Sequence, residues 1–162
     1  MLIKNGKVFL RDGKFHDCAL SFGETVEGVG EFEGEGLDAS GCYVVPGFID
    51  IHTHGAMGRD FSDGDPEALA VTSRYYAENG VTSFLATTIT QSVEVLTNAV
   101  TNVANVMESG YDGAEILGIH FEGPYLDMKY KGAQPDQYIV KPTIEQFEHY
   151  QKAAPVSYTH LR

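Results

Sequence analysis

Between residues 45 and 154, three apolar segments alternate with three amphipathic ones, and this order constrains the fold more than any other feature. The apolar segments are rich in β-branched and aromatic residues, as strands are, and each precedes a segment with helical periodicity. Strands and helices in this order form parallel pairs joined by right-handed crossovers. The sequence therefore predicts an α/β fold with three β/α units, whose strands span 43–52, 81–87 and 114–121 and whose helices span 65–78, 92–108 and 144–154.

Turn and capping residues set the ends of these helices. Asp65 before Pro66 is typical of a helix start, as is Thr143 before the third helix. Glycine at Gly80 and Gly110 is typical of a helix end. These local signals predict the helix limits independently of the apolar pattern.

Residues 1–44 follow a different pattern, with short apolar runs broken by glycines. Asn5-Gly6 and Asp12-Gly13 are typical of tight hairpin turns. We expect this segment to form part of a small β-sandwich domain that precedes the β/α units.

Two histidines, His52 and His54, close the first predicted strand of the β/α units. Residues i and i+2 of a strand point to the same face, so both imidazoles are directed at one place. Gly55 and Gly58 follow at once, which puts the pair where the strand opens into a loop. The pattern favours a metal site, although paired histidines also occur as structural residues.

A carboxylate, Glu122, closes the third predicted strand, and Gly123-Pro124 then stops the ladder. The functional residues of parallel sheets lie at the carboxyl ends of the strands, so we expect Glu122 and the two histidines at the same end of the sheet. His120 shares a strand face with Glu122, and we expect it to orient a ligand rather than bind metal itself. Asp50, on the face of His52, is expected to hydrogen-bond inside the fold.

Three motifs together resemble the N-acetylglucosamine-6-phosphate deacetylases, within the metal-dependent amidohydrolase superfamily. They are PGFIDIHTHG at 46–55, HFEGPYL at 120–126 and KGAQ at 131–134. The first motif alone indicates only an amidohydrolase, and the other two motifs narrow the resemblance to the sugar-phosphate deacetylases. The resemblance runs from residue 1 to about residue 154.

The resemblance implies the N-terminal part of a (β/α)8 TIM-like barrel that hydrolyses N-acetylglucosamine 6-phosphate to glucosamine 6-phosphate and acetate. It implies one or two divalent ions per subunit, with Glu122 holding the catalytic ion and His52 and His54 completing a second position. Two imidazoles and a carboxylate suit zinc, and iron, cobalt or manganese also bind such donors. Ala133 and Gln134 are implied to contact the sugar, Gln134 standing where many relatives have histidine.

In the resembled family the general-base aspartate, two further histidines and the phosphate-binding groups come from later segments, partly from a partner subunit. We therefore expect a homodimeric full-length protein and an inactive 162-residue chain. Residues 155–162 resemble a translated adapter tail, so we predict a gene cut short and exclude His160 from the site. The alternatives are a dihydroorotase or cyclic-amide hydrolase, whose next ligand is commonly a modified lysine, and a non-catalytic metal-binding module.

The net charge of −12 argues against nucleic acid as a partner, because its phosphates would be repelled. No apolar run approaches the roughly 20 residues of a membrane-spanning helix, and no signal peptide is evident. The sequence accordingly predicts a cytoplasmic protein with a small-molecule substrate and no membrane partner.

Overall fold

The computed structural model describes residues 1–155 and, for the backbone, residues 159–161. The chain divides into two compact units between Pro46 and Gly47. Among the described helices, none combines the length and the apolar character needed to cross a bilayer. The first unit contains only strands, and the second has the predicted α/β order.

The first unit is a mixed five-stranded sheet around a long central strand. The central strand, β1, pairs with β2 in antiparallel orientation and with two short strands, β4 and β5, in parallel. Strand β3 extends the sheet beyond β2. The strands are β1 (Leu2–Phe9), β2 (Phe15–Phe22), β3 (Val26–Gly30), β4 (Leu37–Asp38) and β5 (Tyr43–Val44). That this sheet is one layer of a β-sandwich stays a prediction.

Of the two hairpin turns predicted in this unit, one is confirmed and one is wrong. At Asp12-Gly13 the chain reverses between β1 and β2, and Gly13 has a φ of 76°. At Asn5-Gly6 it does not reverse, because β1 continues through a register shift in which Asn5 has a φ of 62°. Gly6 serves close packing instead, since a Cβ there would lie 2.7 Å from a methyl group of Val44.

The second unit contains a four-stranded parallel sheet in the order β6-β7-β8-β9, with helices in the crossovers. The strands are β6 (Phe48–Thr53), β7 (Val81–Thr88), β8 (Glu115–Phe121) and β9 (Thr159–Leu161), and the helices are α1 (Pro66–Glu78), α2 (Val93–Ser109) and α3 (Ile144–Ala153). Short 3₁₀ helices occupy Phe61–Asp63 and Asp136–Tyr138. Strand β7 lies between β6 and β8 and is parallel to both, so the carboxyl ends of all three strands lie at the same end of the sheet.

The single strand predicted over 43–52 is wrong. Its first part is β5, which pairs with β1 in the first unit, and β6 begins only at Phe48. Pro46 has no N–H for a ladder, and a Cβ on Gly47 would lie 2.1 Å from Thr82. The Pro-Gly pair therefore separates two strands that belong to different sheets.

The predicted helix ends are confirmed. The Asp65 carboxylate accepts a hydrogen bond from the N–H of Glu67 at 2.9 Å, with Pro66 in the first turn. Ser92 and Thr143 cap α2 and α3 in the same way through their hydroxyl groups. Capping is set by residues close in sequence, which is why the pattern alone could place it.

The core of the second unit lies between the sheet and its helices. Phe84 of β7 is fully buried and packs between Phe61 and Tyr76. The apolar stripe of α2 supplies three further buried side chains, Leu96, Val100 and Val103. This packing fixes α1 and α2 against the central strand of the sheet, between the two strands whose ends carry the candidate ligands.

The fourth strand falls in the segment predicted to be foreign. The backbone of Thr159–Leu161 pairs in parallel with Ile119–Phe121 of β8. This pairing does not bear on where the residues come from, so the non-native origin of 155–162 stays a prediction.

Candidate metal centre

Three potential metal ligands converge at the carboxyl ends of β6 and β8. The Nε2 atoms of His52 and His54 lie 3.3 Å and 2.9 Å from Oε2 of Glu122. One donor atom from each of the three residues lies within 4.8 Å of the others. Each side chain is about a third exposed, so the cluster is open to solvent.

The separations fit donors that share one ion. Two ligands at about 2.0–2.1 Å from a tetrahedral ion lie about 3.3 Å apart. The two contacts of Glu122 Oε2 are close to that distance. Three protein donors and an open side are the arrangement of catalytic rather than structural zinc sites.

The tautomer of His54 follows from its second contact. Its Nδ1 lies 3.2 Å from the carbonyl oxygen of Thr87, which can only accept, so Nδ1 carries the hydrogen. In the neutral ring Nε2 then presents a lone pair toward the carboxylate of Glu122. A proton on Nε2 or a metal ion between the two atoms would satisfy this pair of acceptors, and the second imidazole, at His52, favours the metal ion.

His120 supports the cluster without belonging to it. It is only 4% exposed, its Nδ1 lies 3.0 Å from the carbonyl oxygen of Ile51, and its ring stands edge-on to that of His52 at 4.7 Å. Asp50 accepts a hydrogen bond from the N–H of His52 at 3.0 Å. Both residues therefore contact the backbone next to His52 or of His52 itself, and the orienting role of His120 stays a prediction.

The backbone around Glu122 is held by the segment that follows β7. The N–H of Glu122 donates to the carbonyl of Thr88 at 3.3 Å, and the carbonyl of Glu122 accepts a hydrogen bond from the hydroxyl of Thr90 at 3.5 Å. Gly123 has a φ of 86°, and a Cβ there would lie 1.9 Å from the Thr90 hydroxyl. Glycine is thus required directly after the candidate ligand.

The two predicted sugar contacts lie in the loop that follows β8. Ala133 is exposed, and the side-chain oxygen of Gln134 accepts a hydrogen bond from the N–H of Thr90 at 2.8 Å. Lys131 braces the same loop through the carbonyl of Gln134 and an ion pair with Asp136 at 2.6 Å. The oxygen of Gln134 therefore makes one hydrogen bond within the protein, and the contact of Ala133 and Gln134 with the sugar stays a prediction.

Sequence reasoning missed a set of hydroxyl groups behind the histidines. The hydroxyl of Tyr76, on α1, hydrogen-bonds to the hydroxyl of Thr53 and donates to the carbonyl of Gly55 at 3.2 Å. Burial raises the pKa of Tyr76, so its hydroxyl stays protonated at neutral pH. The only sequence signal was a tyrosine on the core-facing side of a predicted helix, which does not indicate this contact.

Comparison with known proteins assigns the family. Residues 43–155, most of the chain, match the model of the amidohydrolase family. The chain belongs to the amidohydrolase family. The match includes all three candidate ligands and the loop of Gln134.

Several relatives of this amidohydrolase are named N-acetylglucosamine-6-phosphate deacetylase. The protein from Lysinibacillus sphaericus is 38% identical over 144 residues, 89% of this chain and 35% of the relative. That from Vibrio furnissii is 45% identical over 105 residues, 65% of this chain and 26% of the relative. That from Bacillus subtilis strain 168 is 38% identical over 156 residues, 94% of this chain and 38% of the relative.

Solved structures agree with this assignment. N-acetylglucosamine-6-phosphate deacetylase from Pasteurella multocida matches 96% of this chain with a TM-score of 0.81 and 27% identity. The corresponding enzyme from Mycobacterium smegmatis matches 94% with a TM-score of 0.78 and 28% identity. The chain covers 42% and 44% of those two structures and no more than 38% of the three relatives named above.

Proposed function

We propose that the whole protein removes the acetyl group of N-acetylglucosamine 6-phosphate, giving glucosamine 6-phosphate and acetate. The observation that carries the proposal is the convergence of His52, His54 and Glu122 on one position. It is supported by the deacetylase names of the relatives, which favour this reaction over a dihydroorotase or cyclic-amide hydrolase and over a non-catalytic module.

We assign His52, His54 and Glu122 as ligands of a divalent ion, with zinc the best match to the donors. Such an ion, when bound, polarises an amide carbonyl and makes water a stronger nucleophile at neutral pH. Glu122 supplies the negative charge of the donor set, and the hydrogen bond from Nδ1 to Thr87 keeps Nε2 of His54 free to bind. The open side of the cluster gives the acetamide room to approach.

Recognition of the phosphate requires positive charge, and Arg59 and Lys131, in the loops that follow the two ligand-bearing strands, are both paired with carboxylates. The guanidinium of Arg59, in the loop after His54, is paired with Asp65 at 2.8 Å and Glu67 at 2.9 Å. Lys131 is paired with Asp136. We therefore expect cations from outside the described residues, including those of a second subunit in a homodimer, to bind the phosphate.

The direct test is deacetylation by the product of the complete gene. Released acetate or free amine would be measured with N-acetylglucosamine 6-phosphate and with unphosphorylated N-acetylglucosamine as the comparison. We expect turnover of the phosphorylated sugar, its loss after chelation, and its recovery when zinc is returned. Turnover that survives complete removal of metal would contradict the proposal.

Metal analysis of a double variant tests the histidines separately. Replacing His52 and His54 by Asn in the full-length protein removes two of the three donors, so bound metal should fall by about one ion per subunit. His16→Asn is the matched control, because the imidazole of His16 lies in the first unit and is bonded to the exposed Asp12. An unchanged metal content in the double variant would assign both histidines a structural role.

A further inference from the structure

We propose that Tyr76 is a positioning residue that sets the metal affinity of the cluster by fixing the backbone on both sides of His54. The inference rests on the proposed metal site. The hydroxyl of Tyr76 hydrogen-bonds to the two residues that flank His54 in sequence, Thr53 and Gly55.

The first flanking residue is Thr53, which lies between the two histidines. Its N–H donates to the hydroxyl of Thr87 at 3.0 Å, and its own hydroxyl hydrogen-bonds to that of Tyr76. Thr53 is therefore held through backbone and side chain at once. Since His52 and His54 adjoin it, this fixes the spacing of both imidazoles.

The second flanking residue is Gly55, whose carbonyl accepts the hydrogen of the Tyr76 hydroxyl. A phenol has a single hydrogen to donate, so Thr53 must be the donor in its contact with Tyr76. The hydroxyl of Tyr76 thus makes two hydrogen bonds, one with the residue before His54 and one with the residue after it. Loss of this single oxygen removes both bonds.

Tyr76 can act as an anchor because it belongs to the core. It is 8% exposed and meets the ring of Phe84 edge-on at 5.1 Å. Phe84 stacks on Phe61 at 5.6 Å, and the N–H of Phe61 donates to the carbonyl of His54 at 2.8 Å. Continuous contacts thus connect Tyr76 to the backbone of His54 through the buried core, so core packing restrains the position of His54.

The test compares zinc binding by full-length Tyr76→Phe and wild-type protein, using zinc ion alone in competition with a chelating indicator. Phenylalanine keeps the ring and its packing and removes only the hydroxyl. We expect zinc affinity to fall by about tenfold, the range seen when partners behind metal ligands are lost. Tyr75→Phe, at the neighbouring and more exposed tyrosine, is the control and should bind zinc as the wild type does.

Melting temperatures of the metal-free and zinc-bound forms separate positioning from general stability. A positioning role predicts a smaller rise in melting temperature on adding zinc to Tyr76→Phe than to wild type. If only the metal-free melting temperature falls, with zinc affinity unchanged, Tyr76 is merely structural and the inference is overturned. If wild-type protein itself binds no zinc, the proposed metal site fails instead.

A second variant guards against misfolding of the first. Thr53→Val has nearly the same shape and suits a strand, yet it breaks the bond to Tyr76 from the other side. It should weaken zinc binding in the same direction as Tyr76→Phe. Wild-type affinity in Thr53→Val would overturn the inference, whatever happens to Tyr76→Phe.

Discussion

In the full-length protein, Glu122→Gln is expected to abolish most deacetylase activity and to weaken metal binding by at least about 100-fold. Glu122 is the anionic member of the donor set, and its Oε2 faces both imidazoles at 2.9 and 3.3 Å. Glutamine has the same size, so the change removes charge while it preserves shape. Turnover with N-acetylglucosamine 6-phosphate and elemental analysis of the purified variant measure the two effects.

The control for this variant lies on the same strand. Glu115 begins β8 at its amino end and is exposed, so Glu115→Gln removes one negative charge far from the cluster. We expect this control to keep wild-type activity and metal content. Wild-type turnover in Glu122→Gln would remove Glu122 from the ligand set.

The second large effect is expected from Gly123→Ala, which should lower the free energy of unfolding by about 2–4 kcal/mol. Part of the cost is the φ of 86°, a conformation that alanine rarely adopts. The remainder is the overlap of the new methyl group with the hydroxyl of Thr90, placed at 1.9 Å. Relief of that overlap would shift Glu122, so activity should fall as well. Urea unfolding and turnover measure the two consequences.

Two further variants separate the backbone cost from the overlap. Gly132 also has a positive φ, 61°, but open space surrounds its Cβ position, so Gly132→Ala should show only the backbone cost of about 1 kcal/mol. Adding Thr90→Ala to Gly123→Ala removes the overlapping hydroxyl and should restore part of the lost stability. Equal losses in Gly123→Ala and Gly132→Ala would show that the overlap is relieved without cost.

The sequence predicted those parts of the fold that depend on neighbouring residues. The caps predicted at Asp65 and Thr143 are local hydrogen bonds, and the structure confirms them. The strand over 43–52 was wrong because apolar residues continue across Pro46-Gly47 while their pairing partners change. A run of strand-forming residues does not reveal which sheet each half joins.

The same distinction applies to the candidate site. The common direction of His52 and His54 follows from strand geometry alone, and the position of Glu122 follows from where β8 ends. The contact between Gln134 and Thr90 links two loops 44 residues apart, and that between Thr53 and Tyr76 links a strand to a helix. Contacts of this kind depend on the packed fold, so sequence patterns could not predict them.

Strand β7 separates the two strands that supply the ligands, and this has a consequence for the order of folding. His52 and His54 are two residues apart in sequence, whereas Glu122 is 70 residues from His52 and is brought beside it across β7, which pairs with both β6 and β8. Closing so long a loop costs conformational entropy, and the favourable free energy of strand pairing must offset that cost. In an unfolded chain an ion therefore finds the imidazoles of His52 and His54 close together, and the carboxylate of Glu122 joins them only when the sheet has formed. Tight capture of metal would then mark the completion of this sheet.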